Sequence, residues 1–303
     1  MAGVTNVVST EKWGEETEKH MDVDSWRKQI YLDTIPWEHS RFRELLEKYS
    51  GIPQDQVTAE IFKIRAKAWE VAKYPCIGSL TYVRLLEFRD DNPEMRTVID
   101  RMKAPGSEEA FLDIGGFIFQ TIRRLAFEGV DSARLYGTDL HAEFIELGYE
   151  QFRDRETLKA TFVAGDMLLP DDEYASSALA KTLAGQISIV HAANFFHLFS
   201  WETQLVICER IIQFLRRGPG ARGPAMILGS HLGSLKPGKT EFFGAFLHDE
   251  TTFQSLWDEV GKKTGTCWKV NLRVVSSEAP KLNVFGDDTR AVRYVVTELA
   301  PEI

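Results

Sequence analysis

Three short apolar runs end, in order, in Asp113-Ile114-Gly115-Gly116, Gly137-Thr138-Asp139-Leu140 and Gly165-Asp166-Met167. Residues of these types could hold an adenosine-like ligand. Gly115 and Gly116 let the backbone approach a ligand closely. An acid such as Asp139, roughly 20 positions beyond a glycine loop, is placed to accept from ribose hydroxyls. Asp166 can accept from an adenine amino group while Met167 packs on the base. Each member also has a plainer reading: adjacent glycines make turns, and either aspartate can cap a helix or close a turn. The conjunction of glycine, acid and acid at successive strand ends favours the ligand.

A fourth run opens into His191-Ala192-Ala193-Asn194-Phe195-Phe196-His197-Leu198-Phe199-Ser200-Trp201. Small side chains at Ala192 and Ala193 leave room for a cofactor, and Ser200 suits an N-cap. His197 is the candidate for proton handling in an apolar pocket. His191 and His197 are equally able to serve as hydrogen-bonded core residues. No HExxH, CxxC or one-face histidine spacing occurs, so no metal site is expected.

These tips need strands behind them. Apolar runs at 111–114, 134–137, 161–164, 187–190 and 225–228 alternate with helical patterns, which predicts an α/β fold with a parallel sheet. Phe144, Leu147 and Phe152 share one helical face, and Leu205, Cys208 and Ile211 another. At the end of the chain, 268–274 alternates apolar and polar residues, and 291–296 follows a Gly-Asp-Asp turn signal. Those two runs predict an antiparallel pair at the sheet's edge.

Before residue 110 the pattern is helical throughout. One helix is expected on Phe42, Leu45, Leu46 and Tyr49, stopping at Gly51-Ile52-Pro53. A second runs on Val57, Ile61, Ile64, Ala68 and Val71, a third on Leu80, Val83 and Leu86, and a fourth over 93–102. The expected organisation is a flexible tail at 1–25, a helical lid at 26–106 and a Rossmann-like domain at 107–303.

The chain has 303 residues and a formal net charge of -9. That charge argues against a nucleic-acid partner. Three scattered cysteines fit a reducing compartment. No apolar stretch is long enough for a membrane span, and the N-terminal region lacks an apolar signal core, so a cytoplasmic protein is expected.

Longer blocks carry a resemblance: Tyr49-Ser50-Gly51-Ile52-Pro53, Ile64-Arg65-Ala66-Lys67-Ala68-Trp69, Tyr74-Pro75-Cys76-Ile77-Gly78, the stretch from Leu147 to Arg155, and His197-Leu198-Phe199-Ser200-Trp201-Glu202. With them the chain resembles class I S-adenosylmethionine (SAM) methyltransferases, most closely the fungal carboxyl O-methyltransferases of meroterpenoid pathways. The resemblance implies a Rossmann-like sheet under a helical lid, with SAM as cofactor. It implies cofactor contacts at Asp113, Gly115, Gly116, Asp139, Leu140, Asp166, Met167 and Ala192. Substrate contacts fall at Tyr74, Cys76, Tyr82, Phe196 and Trp201, with His197 catalytic. The implied partner is a small hydrophobic metabolite, and a homodimer is allowed.

The glycine loop departs from that family's pattern. Phe117 stands where a small residue is usual, and Phe119 where a glycine is usual. Either Phe119 turns into the core and SAM binds, or its ring fills the methionine site and the fold serves a SAM-independent cyclase or isomerase. A non-catalytic partner subunit is the third class, and it would need a large exposed apolar patch.

Overall fold

The computed structural model describes residues 23–36, 38–85, 88, 92–217, 223–241, 244–276 and 285–299. The expected tail, up to residue 22, and Leu86 lie outside the described residues. The chain divides into two compact units, one of residues 24–165 and one from Asp166 onward.

The first unit opens with helix α1 (Val23–Ile30) and α2 (Ser40–Glu44), which runs into a π turn at Leu45–Tyr49. Helix α3 (Val57–Val71) follows because Val57, Ile61, Ile64 and Ala68 fall on one face, all fully buried. The third expected helix is replaced by two short pieces, α4 (Pro75–Gly78) and a 3₁₀ turn at Thr81–Arg84. Leu80 and Leu85 bracket that turn in the left-handed region, which no continuous helix tolerates. Helix α5 (Pro93–Lys103) starts where expected, with Asn92 accepting from the Met95 amide at 3.2 Å and Pro93 in the first turn.

Strand β1 (Phe111–Ile114) is buried at every position, as an inner parallel strand should be. Helix α6 (Gln120–Phe127), strand β2 (Leu135–Asp139), helix α7 (Ala142–Phe152) and strand β3 (Thr161–Ala164) complete the unit. β2 pairs in parallel with both β1 and β3. The leader helices share one core with the loop after β1 and with α7: Phe42, Leu45, Leu46, Ile61 and Ile64 join Phe117, Ile118, Phe144, Leu147 and Phe152.

In the second unit, α8 (Asp171–Ser176) and α9 (Ala178–Leu183) lead to strand β4 (Ile189–His191) and helix α10 (Trp201–Phe214). Ser200 caps α10 through the Thr203 amide at 3.3 Å. Strand β5 (Met226–Ser234) pairs in parallel with β4 and runs well past it. A two-stranded antiparallel ribbon of β6 (Gly238–Lys239) and β7 (Phe246–Leu247) follows, in a stretch to which the sequence pattern assigns no element. Helix α11 (Glu250–Thr264) carries a reciprocal cap between Asp249 and Thr252 and ends at Gly265, whose φ of 69° needs glycine. Strands β8 (Trp268–Val274) and β9 (Thr289–Glu298) are antiparallel to each other, and β9 also runs antiparallel to β5. Parallel strands alternating with helices, then antiparallel strands at the C-terminal end, make the α/β arrangement that the sequence predicts. No helix among the described residues is long and apolar enough to cross a membrane.

Candidate functional site

In the first unit the loop after β1 is the centre of the candidate site. Gly115 is exposed at its tip with φ 63°, and its amide donates to the Thr138 carbonyl at 2.8 Å. Phe117 and Phe119 are also left-handed, at φ 55° and 53°. Non-glycine residues hold that conformation only where their surroundings compel it. The compulsion at Phe117 comes partly from Asp139, whose Oδ2 accepts the Phe117 amide at 3.0 Å. Asp139 Oδ1 accepts the His141 amide at 3.2 Å. A carboxylate has about four lone-pair sites, so these two bonds leave acceptor capacity for ribose hydroxyls. Burial raises the Asp139 pKa to about 6, against the pull of its backbone donors. The acid is thus mostly ionised at neutral pH and close to its limit.

The two phenyl rings go to different places. Phe117 packs edge-on against Tyr82 and Phe144, at 5.1 and 4.9 Å between centroids, inside the leader's apolar cluster. Phe119 is fully buried against Phe162 of β3, at 4.7 Å. It lies where side chains on Gly116 and Gly137 would stand: a Cβ there would come within 2.4 and 2.6 Å of the ring. A large residue thus fills the volume that two glycines vacate, between α6 and the sheet.

Leader residues gather beside the same acid. The Tyr74 hydroxyl lies 3.4 Å from His141 Nε2, and the Asp139 carboxylate adds to burial in holding its phenol protonated. Burial, again with a contribution from Asp139, pushes the Cys76 thiol up to about 11, so it is no nucleophile. Tyr82 packs between Phe42 and Phe117. Asp113, Gly115, Gly116, Asp139, Leu140, Tyr74, Cys76 and Tyr82 all belong to this unit.

Asp166, Met167, Ala192, Phe196, His197 and Trp201 belong to the second unit. Asp166 Oδ1 accepts the Leu168 amide at 2.7 Å, a turn-closing bond, and the buried Met167 takes its carbonyl's hydrogen bond from Arg210. Ala192 is fully buried; its carbonyl accepts the Tyr294 hydroxyl at 2.6 Å, so β9 fixes the segment after β4. His197 sits on a 3₁₀ turn, 8% exposed, with Nδ1 lacking a partner among the described residues. Burial lowers its pKa to about 4. His231 on β5 lies 6.2 Å from it between ring centroids and is likewise held neutral by burial. Trp201 donates to Glu259 at 3.2 Å and packs on Phe246.

Residue type and spacing assign no site role to His231, Tyr294, Arg123 or Asp154. Tyr294 falls inside the run at 291–296, where it reads as packing, and His231 lies beyond the run at 225–228. Arg123 lies on the apolar face of α6, and that anomaly was the available signal.

A family model described as the meroterpenoid methyltransferase N-terminal domain matches residues 31–83. The chain is 37% identical over 248 residues to O-methyltransferase atr3 of Stereocaulon alpinum, covering 79% of this chain and 69% of that protein. It is 36% identical to O-methyltransferase phiE of Fungal sp. (strain ATCC 74256), covering 83% and 80%. With the Asnovolin E/Chermesin D methyltransferase nvfJ of Aspergillus novofumigatus it shares 33% identity, covering 76% and 78%. The chain belongs to this fungal methyltransferase family. It is a methyltransferase, and the cyclase alternative draws no support from these relatives. The methyltransferase's loop suits SAM: Gly115 offers bare backbone at its tip and Asp139 offers a carboxylate behind it.

Proposed function

We propose that the enzyme methylates a carboxylate oxygen on a small, hydrophobic product of fungal secondary metabolism, in the cytoplasm, alone or as a homodimer. SAM, when bound, supplies an electrophilic sulfonium methyl. The work left to the protein is to hold an oxygen in line with it and exclude water. Asp113, Gly115, Gly116 and Leu140 serve the cofactor's amino-acid and ribose portions around Asp139. Asp166, Met167 and Ala192 serve its adenine side. Tyr74, Cys76 and Tyr82 belong to the helical leader of residues 26–106, which acts as a lid over the domain at 107–303. Phe196 and Trp201 offer the acceptor an apolar wall.

The observation that carries the choice of carboxylate is the burial of His197. An imidazole with a pKa near 4 is a poor base for a phenol, whose own pKa is about 10. The same neutral ring can donate a hydrogen bond to a carboxylate without protonating it. A carboxylate is already ionised and needs no base. Support for SAM use comes from Phe119, whose ring is spent in core packing against Gly116, Gly137 and Phe162.

The test is calorimetric titration with SAM and with S-adenosylhomocysteine, followed by incubation with paired hydrophobic acids and phenols. SAM-dependent gain of one methyl on acids alone is the expected result. Methylation of phenols alone would overturn the acceptor class, and an isomer of unchanged mass formed without SAM would overturn methyl transfer.

A further inference from the structure

The loop that presents Gly115 contains two left-handed phenylalanines with one ordinary residue, Ile118, between them. Such a backbone relaxes unless something grips it. The grip is Arg123. Its guanidinium is wholly buried and donates through Nη1 to the Ile118 carbonyl at 2.9 Å. A buried cation needs a counter-charge. Asp154, just past the end of α7 and 3% exposed, supplies it in fork geometry, at 2.9 Å from Nε and 3.0 Å from Nη2. Gly148 makes room for the arrangement: a Cβ there would stand 2.8 Å from the Ile118 carbonyl oxygen and 3.1 Å from Nη1.

Asp154 has a third partner. The Tyr49 hydroxyl, at the end of the leader's π turn, donates to its Oδ2 at 2.8 Å. Burial beside that carboxylate raises the Tyr49 pKa, so the phenol stays a donor. Leader, carboxylate, guanidinium and loop carbonyl are therefore joined by a continuous set of hydrogen bonds, part-buried at Tyr49 and buried from Asp154 to Ile118.

We infer that Tyr49 is a positioning residue for the cofactor loop, acting through Asp154 and Arg123, so that docking of the leader and binding of SAM favour each other. The inference rests on the reading of this loop as the SAM site. With the leader docked, Tyr49 holds Asp154 in the rotamer that orients Arg123, and Arg123 holds Ile118 between its strained neighbours. With the leader displaced, Asp154 loses a donor and the loop loses part of its restraint. Linkage then requires the reverse effect: SAM on the loop must tighten the leader.

Tyr49→Phe removes one hydroxyl and keeps the ring's packing, and Lys67→Ala is the control. Lys67 ties α3 to α7 through Glu150 at 2.7 Å on the surface, outside the relay. Calorimetry should show SAM affinity about fivefold or more weaker in Tyr49→Phe and unchanged in Lys67→Ala. Hydrogen exchange of the 45–49 amides should slow on adding SAM to the wild-type protein, and lose that response in Tyr49→Phe. Wild-type SAM affinity in Tyr49→Phe, even with a lowered melting temperature, would reduce Tyr49 to a structural residue and overturn the inference. So would SAM binding by the wild-type protein with no slowing at 45–49. Failure of the wild-type protein to bind SAM at all would overturn the cofactor reading, and the relay with it.

Discussion

Replacing Phe119 by glycine restores the residue that the resemblance expects, yet the structure makes it a destabilising change. The ring is fully buried between Gly116, Gly137 and Phe162. Emptying such a volume costs about 3–5 kcal/mol for a phenylalanine truncated to alanine. Phe119 also has φ 53°. Alanine keeps that left-handed strain, about 1–2 kcal/mol, whereas glycine relieves it and loses roughly 0.5–1 kcal/mol to greater unfolded-state freedom. Phe119→Gly should therefore unfold about 2–4 kcal/mol more easily than wild type, and Phe119→Ala roughly 0.5–1 kcal/mol more easily still. This reverses the usual order, in which the smaller side chain is worse. Urea unfolding followed by circular dichroism measures both, and calorimetry with SAM should show affinity retained in Phe119→Gly. A glycine variant within about 1 kcal/mol of wild type that gains SAM binding would mean that the ring occupies the ligand site, and the packing argument would fail.

Asp139→Ala should weaken SAM binding by about 1–3 kcal/mol, because ribose donors lose their acceptor; unchanged affinity by calorimetry would remove Asp139 from the site. In the wild-type protein, SAM affinity should fall as pH drops through about 6, where the raised Asp139 pKa lets the carboxyl protonate, and the alanine variant should lack that slope. Fold stability should decline as pH falls below about 6.5, the unfolded histidine value. His197, with a folded pKa of about 4, binds its proton in the unfolded chain first, which amounts to roughly 2 kcal/mol at pH 5 from this group alone, with His231 adding in the same direction. Asp139 opposes this, since its raised pKa favours the folded form on acidification, so Asp139→Asn should steepen the loss seen in urea titrations at pH 7 and 5. His197→Phe should raise KM for an acid acceptor far more than it changes SAM affinity; an unchanged KM would exclude the imidazole from acceptor binding.

Local chemistry made much of this protein legible. The inner strands announced themselves as short apolar runs, and β8 as strict alternation, because burial on two faces or one leaves those patterns directly. Helix α3 was equally plain, carried by one apolar face, and α5 spans the run expected over 93–102. Asp139 and Gly115 were found at strand tips, since topology fixes where a doubly wound sheet offers its ligands. The broken stretch around Leu80 and Leu85 escaped, because apolar spacing says nothing about two residues forced left-handed by packing. The direction of Phe119 was undecidable from spacing alone: the same residue type could plug a site or fill a core. Only the approach of Gly137 and Phe162, distant in sequence, turned it inward. The bond from Tyr49 to Asp154 spans 105 positions and leaves no periodic trace, and neither do the His231 nitrogens, which lack a partner among the described residues. Sequence determined which segments become strands and helices, because that depends on neighbours along the chain. Tertiary structure decided which polar groups meet in the dry interior, because each such group must find a partner in space or bear the cost of having none.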